Sequence, residues 1–500
     1  MVTKAINEKL GFTLVVIAFV CIRLLASVIY PSFPAWDPWS YYEALNTLLD
    51  TRINPLCNKS GYYMSGIIYV LAGVTEGSGL DTYNAIKWLG PLIYCIIIIP
   101  ILYSMGRDFS RNSKAGLITL LLFGISDIGV LRESYTIAEG LAIPLSVIAI
   151  YSAINFYKDG RVFELFVTFI VMLCLPFVHH LTSFITFLTF VVVLASLVKT
   201  EKIRRNFAIV LVLIFASCII FTSQAHIYLE REAYRRFSTF LEGMSNPRTP
   251  STYEALTEKY SAVPRSFTEL IYQHISTGII LLLAFITFLE SAIKKIERTE
   301  EIFLYVWLIV TVAFFFISIL GDYLFGWLFD FYGYRAWIFA VVPASVLAAR
   351  TLLKLTKMNS LILPLIVGIS VLGTSAFTIH QFDTMNYHYY EIETSDWLLD
   401  NLGNRTVIFS PGSFHPSRSL NTVPYLIKVE SKDLEFFTCN DTYIEYILNS
   451  SRYRNIYVIS SKRATDKPFH TAYMRICYDS FGSDLFNRIY DSKISWIWKG

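Results

Sequence analysis

The sequence Phe33-Pro-Ala-Trp-Asp37-Pro-Trp-Ser-Tyr-Tyr-Glu43 follows directly on an apolar run, Gly11 to Tyr30, that is long enough to cross a bilayer. Aromatic residues favour the interface between lipid and water, so we expect Asp37 to lie at a membrane surface. A carboxylate there can bind a divalent cation or take a proton from a substrate that arrives from water. Asp followed by Pro is also typical of a helix start, with Asp37 as N-cap and Pro38 at the first helical position, and these residues alone favour the cap.

The composition is that of a polytopic membrane protein. Of the 500 residues, 54% are hydrophobic and 16% are charged, whereas about a quarter of the residues in soluble proteins are charged. The formal net charge of +3 is small and argues against a nucleic-acid partner. No small-residue cleavage site follows the long first apolar run, so we expect no cleavable signal peptide.

Eleven apolar runs have the length expected of membrane spans, about 17–25 residues. They lie near residues 12–31, 86–105, 113–131, 139–157, 162–178, 180–198, 206–223, 272–290, 302–320, 332–350 and 360–380. A shorter run, 62–75, is either a twelfth span or a helix on the membrane surface. If it does not cross, every second loop is basic and lies on the same side as Lys4 and Lys9, as the positive-inside rule requires. The sequence therefore predicts eleven spans, with the N-terminus inside and the C-terminus outside.

This topology divides the chain into a transmembrane domain, 1–380, and a small polar α/β domain, 381–500, outside the membrane. Two long external loops, 32–85 and 224–271, belong to the first domain. The α/β domain contains β-type runs at Thr406–Ser410, Tyr425–Val429, Ile456–Ser460 and Ile494–Trp498, with helical candidates near 394–402 and 441–450. Four sequons and the cysteines that could pair, Cys439 and Cys477, also lie outside.

Unusual polar groups gather at the outer ends of the predicted spans. Charges near or within a membrane are costly, so a cluster on one side favours a functional role. The group comprises Asp37, Arg132, Glu133, Glu139, His179, His180, Asp322, Asp330 and Arg335.

Asp37 and Glu139 offer two hard oxygen ligands from separate segments. Such a pair suits Mg²⁺ or Mn²⁺, with substrate or water completing the coordination shell. Alternatively, Glu139 caps the fourth span or pairs with Arg132. Spacing alone does not separate these two interpretations.

Two histidines and one arginine are candidates for binding a phosphate. Adjacent residues on a helix point about 100° apart, so His179 and His180 are not expected to chelate one metal ion together. One of them can reach a phosphate or a metal, or both can bond to backbone or lipid headgroups. Arg335 suits bidentate phosphate binding, unless it snorkels to the interface or pairs with Asp322 or Asp330.

These residues, in this order, resemble the GT-C superfamily of membrane glycosyltransferases, and within it the catalytic subunits of archaeal oligosaccharyltransferases. Asp37-Pro38 with Tyr41-Tyr42 is similar to the family's first external motif, and Arg132 with Glu139 is similar to its second. Tyr103-Ser-Met-Gly-Arg107 with Ala115-Gly116 resembles its short cytoplasmic turn. The segment from Arg335 to Pro343 resembles its late span, which opens with a phosphate-contacting arginine.

The resemblance implies transfer of a sugar or glycan from a polyprenyl-phosphate or polyprenyl-diphosphate donor on the outer face, with a divalent cation. It implies Asp37 and Glu139 at the metal and acceptor, and Arg335 on the donor phosphate. An acid of the second long loop often joins the site in this family, and the candidates are Glu230, Glu254 and Glu258. The acceptor is a protein, glycan or lipid.

The sequence departs from the oligosaccharyltransferases after Trp397. Their Trp-Trp-Asp-Tyr-Gly motif is absent, and the chain here reads Val407-Ile-Phe-Ser-Pro-Gly-Ser-Phe414. This favours an acceptor other than Asn-x-Ser/Thr. Two other classes remain open, a transporter or lipid flippase and a non-catalytic scaffold, although the charges lie at span ends and no matching halves are evident.

Overall fold

A computed structural model describes residues 2–29, 33, 37–53, 66–197, 213, 216, 274–293, 299–325 and 333–385, together with 406–410, 435–438, 455–461, 487–491 and 495–499. These residues belong to two compact units. One contains the described residues of 2–29 and 44–384, and the other contains Phe33, residues 37–43, Met385 and the later segments. The predicted domain boundary at residue 380 stays a prediction.

Fourteen helices, α1–α14, are described, and a π-helical turn, Ala85–Leu89, joins α4 to α5. Their bounds are α1 Val2–Ile29, α2 Asp37–Thr51, α3 Gly66–Ser78, α4 Thr82–Asn84, α5 Gly90–Ser110, α6 Ser113–Gly124, α7 Asp127–Glu133, α8 Ala138–Asp159, α9 Val162–Val178, α10 His180–Leu197, α11 Ile275–Ile293, α12 Thr299–Phe325, α13 Gly333–Met358 and α14 Ile362–Met385.

Several of these helices have the length and composition of membrane spans, so the protein is an integral membrane protein. Within the described residues, five helical segments are long and apolar enough to cross a bilayer. They are Lys9–Ile29, Thr82–Ser110, Ala138–Asp159, Ile275–Ile293 and Trp337–Met358. Helical residues also occupy the other predicted spans except 206–223, of which only residues 213 and 216 are described.

Glycines let α5 and α6 pack closely. A Cβ added at Gly106 would lie 2.2 Å from Thr119 Oγ1, and one added at Gly116 would lie 2.6 Å from the Tyr103 carbonyl oxygen. The turn between the helices is tight because Arg111 adopts a left-handed conformation, with φ of 50°, directly after α5. Asn112 then caps α6 by accepting a hydrogen bond from the Lys114 N–H at 2.9 Å.

The span predicted near 113–131 is not one continuous helix, because the chain breaks between α6 and α7. α6 ends at Gly124, and the Ser126 hydroxyl turns back to donate to the Phe123 carbonyl at 2.7 Å. The Ile125 carbonyl, released from helical bonding, accepts hydrogen bonds from the hydroxyls of Ser276 and Thr374. Side chains of α11 and α14 thus satisfy the backbone at the break, as a buried helix end requires.

Residues 66–75 of the short apolar run at 62–75 lie in α3, which is described from Gly66 to Ser78. Its first residue, Gly66, approaches α9 so closely that a Cβ would lie 2.9 Å from Val178 Cγ2. That this run does not cross the membrane stays a prediction.

The second unit contains a five-stranded sheet, β1 Thr406–Ser410, β2 Glu435–Thr438, β3 Asn455–Ser461, β4 Asn487–Asp491 and β5 Ser495–Lys499. The strand order is β2-β1-β3-β5-β4, with β1 parallel to β2 and β3, and β5 antiparallel to β3 and β4. Three predicted strands match β1, β3 and β5, whereas the sequence did not predict β2 or β4. The predicted strand at 425–429 and both predicted helices lie outside the described residues.

Candidate functional site

Hydrogen bonds tie the segment before α8 to α5 and to the π turn. The Tyr94 hydroxyl donates to the Ile137 carbonyl at 2.7 Å and accepts from the Ile137 N–H at 3.1 Å. The Thr136 hydroxyl donates to the Ile86 carbonyl, within the π turn, at 2.5 Å. These bonds set the direction in which the chain enters α8, and therefore the position of Glu139 in its first turn.

Two glycines make this arrangement possible. A Cβ at Gly90 would lie 1.9 Å from Thr136 Oγ1, and one at Gly140 would lie 2.2 Å from the Tyr94 ring. Both distances are far shorter than any real contact, so a side chain at either position would push the segment away from α5. The two glycines allow the close approach that places Glu139.

Glu139 faces His179 within the first unit. Glu139 Oε1 lies 3.6 Å from His179 Nε2, and both side chains are more than nine-tenths buried. Glu139 lies in the first turn of α8, where the helix dipole favours a negative charge. The pair joins the start of α8 to the junction between α9 and α10.

His179 is held by the helix that follows it. Its backbone is extended between α9 and α10, with φ of −160°. Its Nδ1 accepts the Thr182 N–H at 3.3 Å and lies 2.8 Å from the Thr182 hydroxyl oxygen. Because Nδ1 acts as an acceptor, the proton of the neutral ring is assigned to Nε2, the atom that faces Glu139. His179 thus caps α10 and presents a donor to the carboxylate.

A second buried pair lies at the end of α7. Arg23 Nε, on α1, is 2.9 Å from Glu133 Oε2, and both side chains are fully buried. Arg23 also donates to the carbonyls of Gly124 and Phe123, at 2.7 and 3.3 Å, and its guanidinium lies 4.5 Å from the centre of the Phe19 ring. Arg23 therefore stabilises both the end of α6 and the acid of α7.

A third polar cluster links the α6–α7 break to α11. Asp127 is fully buried and its Oδ2 lies 2.6 Å from His274 Nδ1, while the Thr277 hydroxyl donates to its Oδ1. His274 is 27% exposed and follows directly on the predicted second external loop. The cluster holds the start of α11 against the break between α6 and α7.

The structure describes the side chains of some predicted site residues and not of others. It brings Glu139 and His179 together, and it pairs Glu133 with Arg23. α2 is described from Asp37, and the role of Asp37 as its N-cap stays a prediction. The side chain of Asp37 lies outside the described residues, as do those of the other candidates on described helices. These are Arg132 on α7, His180 on α10, Asp322 on α12 and Arg335 on α13. Asp330, Glu230, Glu254, Glu258, Cys439 and Cys477 lie outside the described residues altogether.

Sequence reasoning missed Arg23, Asp127 and His274. Arg23 is a charge inside the first apolar run, which costs free energy unless it is paired, and that cost was a usable signal. Asp127 follows Ser126 inside a predicted span, and Ser-Asp is typical of a helix start. His274 has no comparable signal, because its partner is 147 residues away.

Two of the residues proposed near a metal, Glu139 and His179, have described side chains. Among them, no group of three His, Cys, Asp or Glu side chains is placed to hold an ion. Glu139 and His179 provide one hard oxygen and one imidazole, and Mn²⁺ accepts such a mixed set more readily than Mg²⁺ does. The metal therefore stays a prediction that depends on Asp37.

Sequence comparison gives no relative for this chain. No known family pattern matches it, and no curated protein sequence matches it.

Comparison of structures does find similar folds. The archaeal oligosaccharyltransferase AglB from Archaeoglobus fulgidus, in complex with an inhibitory peptide and a dolichol-phosphate, matches with a TM-score of 0.59 and 14% identity, over 96% of this chain and 72% of that one. ArnT from Cupriavidus metallidurans matches in the apo state (TM-score 0.55, 11% identity, 99% and 98% of the chains) and bound to undecaprenyl phosphate (0.54, 11%, 97% of each). The predicted resemblance to GT-C membrane glycosyltransferases is confirmed as a likeness of fold.

Proposed function

We propose that this protein is a membrane glycosyltransferase that moves a sugar or glycan from a polyprenyl-phosphate-type lipid to an acceptor at the outer membrane face. The main support is a fold likeness over nearly the whole chain to proteins solved with dolichol-phosphate and undecaprenyl phosphate. A buried Glu139–His179 pair lies at a helix end in this fold, and buried titratable pairs of this kind are candidates for functional sites.

Glu139 is proposed to act together with Asp37. Asp37 orients or deprotonates the acceptor group, and Glu139, held by the bonds that fix Ile137, supplies the second carboxylate. Both would hold a divalent cation, Mg²⁺ or Mn²⁺, which stabilises negative charge on the leaving phosphate when bound. One acid of the 224–271 loop, Glu230, Glu254 or Glu258, is proposed to complete the site.

An arginine and two histidines are proposed to bind the donor phosphate. Arg335 lies in the first turn of α13, and a guanidinium there can bind two phosphate oxygens at once. The Nε2–H of His179 points away from the α10 backbone and is the donor that can be shared between Glu139 and a phosphate oxygen. His180, the first residue of α10, is the second histidine proposed for this role.

The proposal is tested by glycan transfer in membranes that contain the full-length protein. Asp37→Ala, Glu139→Gln and Arg335→Ala should each lower the transfer rate by about 10²–10⁴-fold, the usual loss for a group acting in the transition state. Asp159→Asn is the matched control, because Asp159 is a carboxylate at the opposite end of the same helix as Glu139. Normal transfer by any one of the three variants removes that residue from its role.

The metal is tested separately. Chelation with EDTA should abolish transfer, and added Mn²⁺ or Mg²⁺ should restore it in the natural protein. In Glu139→Gln the metal concentration for half-maximal rescue should rise, because one hard ligand is lost. Full activity in EDTA would exclude the metal but not the carboxylate roles.

A further inference from the structure

A basic cleft lies at the C-terminal ends of α5 and α8. Glu139 is in the first turn of α8, at the opposite end of that helix. The cleft has a volume of about 400 Å³ and is lined by Arg107, Asp108, Arg111, Asn112, Ser113 and Lys158. Lys158 is 19 residues beyond Glu139 on α8, which at 1.5 Å per residue is about 28 Å away. The cleft is therefore separate from the site proposed for sugar transfer, by about the thickness of the hydrocarbon core.

The one carboxylate of the cleft is already bound on both oxygens. Asp108 Oδ1 accepts from Arg107 Nε at 2.6 Å, and Asp108 Oδ2 accepts from the Tyr151 hydroxyl at 2.5 Å. These bonds turn Asp108 towards Arg107 and α8. Among the described residues, neither Arg111 nor Lys158 is in a salt bridge, so the cleft carries three cations against one carboxylate.

The position of Arg111 is fixed by the backbone rather than by a side-chain partner. It occupies the left-handed turn between α5 and α6, and its N–H donates to the Arg107 carbonyl. Lys158 approaches from the last turn of α8, on a separate segment. Two cations from different elements thus converge on one opening, an arrangement that suits a tetrahedral oxyanion better than a flat or elongated one.

We propose that this cleft is a binding site for a phosphate group, either of an anionic membrane lipid headgroup or of a soluble phosphate. Its volume falls in the range of ligand pockets, about 300–1,000 Å³. The adjoining cavity, lined by apolar residues such as Phe109 and Ile154, holds only about 30 Å³, about the volume of one water molecule. The phosphate group is therefore placed in the charged cleft and not in this cavity. The proposal does not depend on the transfer reaction.

Binding is measured on the purified full-length protein in two arms. In neutral detergent, inorganic phosphate is titrated calorimetrically. In nanodiscs of phosphatidylcholine with or without phosphatidylglycerol, retained phosphatidylglycerol is counted by native mass spectrometry. The variants are Arg111→Gln and Lys158→Gln, and the matched control is Arg161→Gln, an exposed arginine in the next turn whose partner is Asp159.

Each of the two variants should weaken binding about tenfold, the usual effect of losing one charge-assisted hydrogen bond, and Arg161→Gln should not change it. If the two variants bind less tightly in both arms, or bind only phosphatidylglycerol less tightly, the ligand is a lipid headgroup. Weakening only with inorganic phosphate supports a soluble ligand. Binding in neither arm, or equal weakening by Arg161→Gln, overturns the proposal and leaves these cations as partners of the C-terminal helix dipoles of α5 and α8.

Discussion

At the scale of single residues, the hydroxyl of Tyr94 is the link between α5 and the proposed site. Tyr94→Phe removes one donor and one acceptor from Ile137 and leaves the ring against Gly140. We expect a loss of about 1–3 kcal/mol in the free energy of unfolding, because two buried backbone groups lose a partner. The transfer rate should fall as well, since Glu139 follows two residues later. The measurements are thermal unfolding in detergent and transfer in membranes.

The control for Tyr94→Phe is Tyr305→Phe, which removes a buried hydroxyl that bonds to Ser291 on α11 at 2.6 Å. It should lower stability by a similar amount and leave transfer unchanged. If both variants lower transfer equally, Tyr94 does not position Glu139 specifically.

The Arg23–Glu133 pair gives a second prediction at this scale. Arg23→Met leaves Glu133 buried without its cation and should cost about 3–5 kcal/mol of unfolding free energy. Arg23→Met combined with Glu133→Leu should recover part of that loss, because the uncompensated charge is gone. The carbonyls of Gly124 and Phe123 still lose their donor, so recovery should be incomplete. If the unfolding free energy lost by the double variant equals the sum of the losses of Arg23→Met and Glu133→Leu, the two side chains are not coupled.

How far single residues could be predicted depends on where their partners lie. Glu139 and His179 were selected because polar groups at span ends are costly, and they prove to be 3.6 Å apart. Their contact itself was not predictable, because it needs the path of α9 as well as that of α8. Arg23 was missed although its cost was visible, because its compensating acid is 110 residues away.

At the scale of secondary-structure elements, the packing of α5 against α8 depends on glycines. Gly140→Ala would place a Cβ 2.2 Å from the Tyr94 ring. The ring is fully buried, so we expect a loss of about 1–3 kcal/mol of unfolding free energy from overpacking. Gly278→Ala on α11 is the matched control, because nothing lies within 4 Å of its Cβ position. That variant should be stabilised by about 0.5–1 kcal/mol.

Thermal unfolding of the two glycine variants distinguishes packing from helix propensity. A stabilised Gly140→Ala protein would mean that α5 and α8 are free to separate at this point. The prediction would then fail, together with the role assigned to the glycines in placing Glu139.

Long apolar helices could be predicted from the sequence, whereas breaks within them could not. The run at 113–131 is apolar enough to be taken as one span, yet α6 ends at Gly124. What breaks it is Ser126 bonding back to Phe123, together with hydroxyls of α11 and α14 that bind the Ile125 carbonyl. Those hydroxyls come from residues 276 and 374, so a local pattern cannot reveal them.

At the scale of the whole molecule, the class of fold was predictable from the order and sidedness of weak motifs. The likeness to AglB at 14% identity shows how little residue identity the fold requires. The sheet was harder to predict. β2 is only four residues long, and β4 has polar residues at three of its five positions and a register shift between Arg488 and Tyr490. Short strands with polar residues lack the alternation from which strands are predicted.

The orientation in the membrane is the remaining prediction at this scale, and it depends on whether the run that contains α3 crosses the membrane. If the run that contains α3 lies on the outer face, as the positive-inside rule predicts, the chain on both sides of it stays on that face. In a cysteine-free background, Ser78→Cys and a C-terminal tag should then be accessible in intact cells. Lys9→Cys and Arg161→Cys should react with an impermeant thiol reagent only after permeabilisation. If α3 crossed, Arg161→Cys would be labelled from outside and the tag would be protected, and the proposed transfer site and the basic cleft would exchange sides.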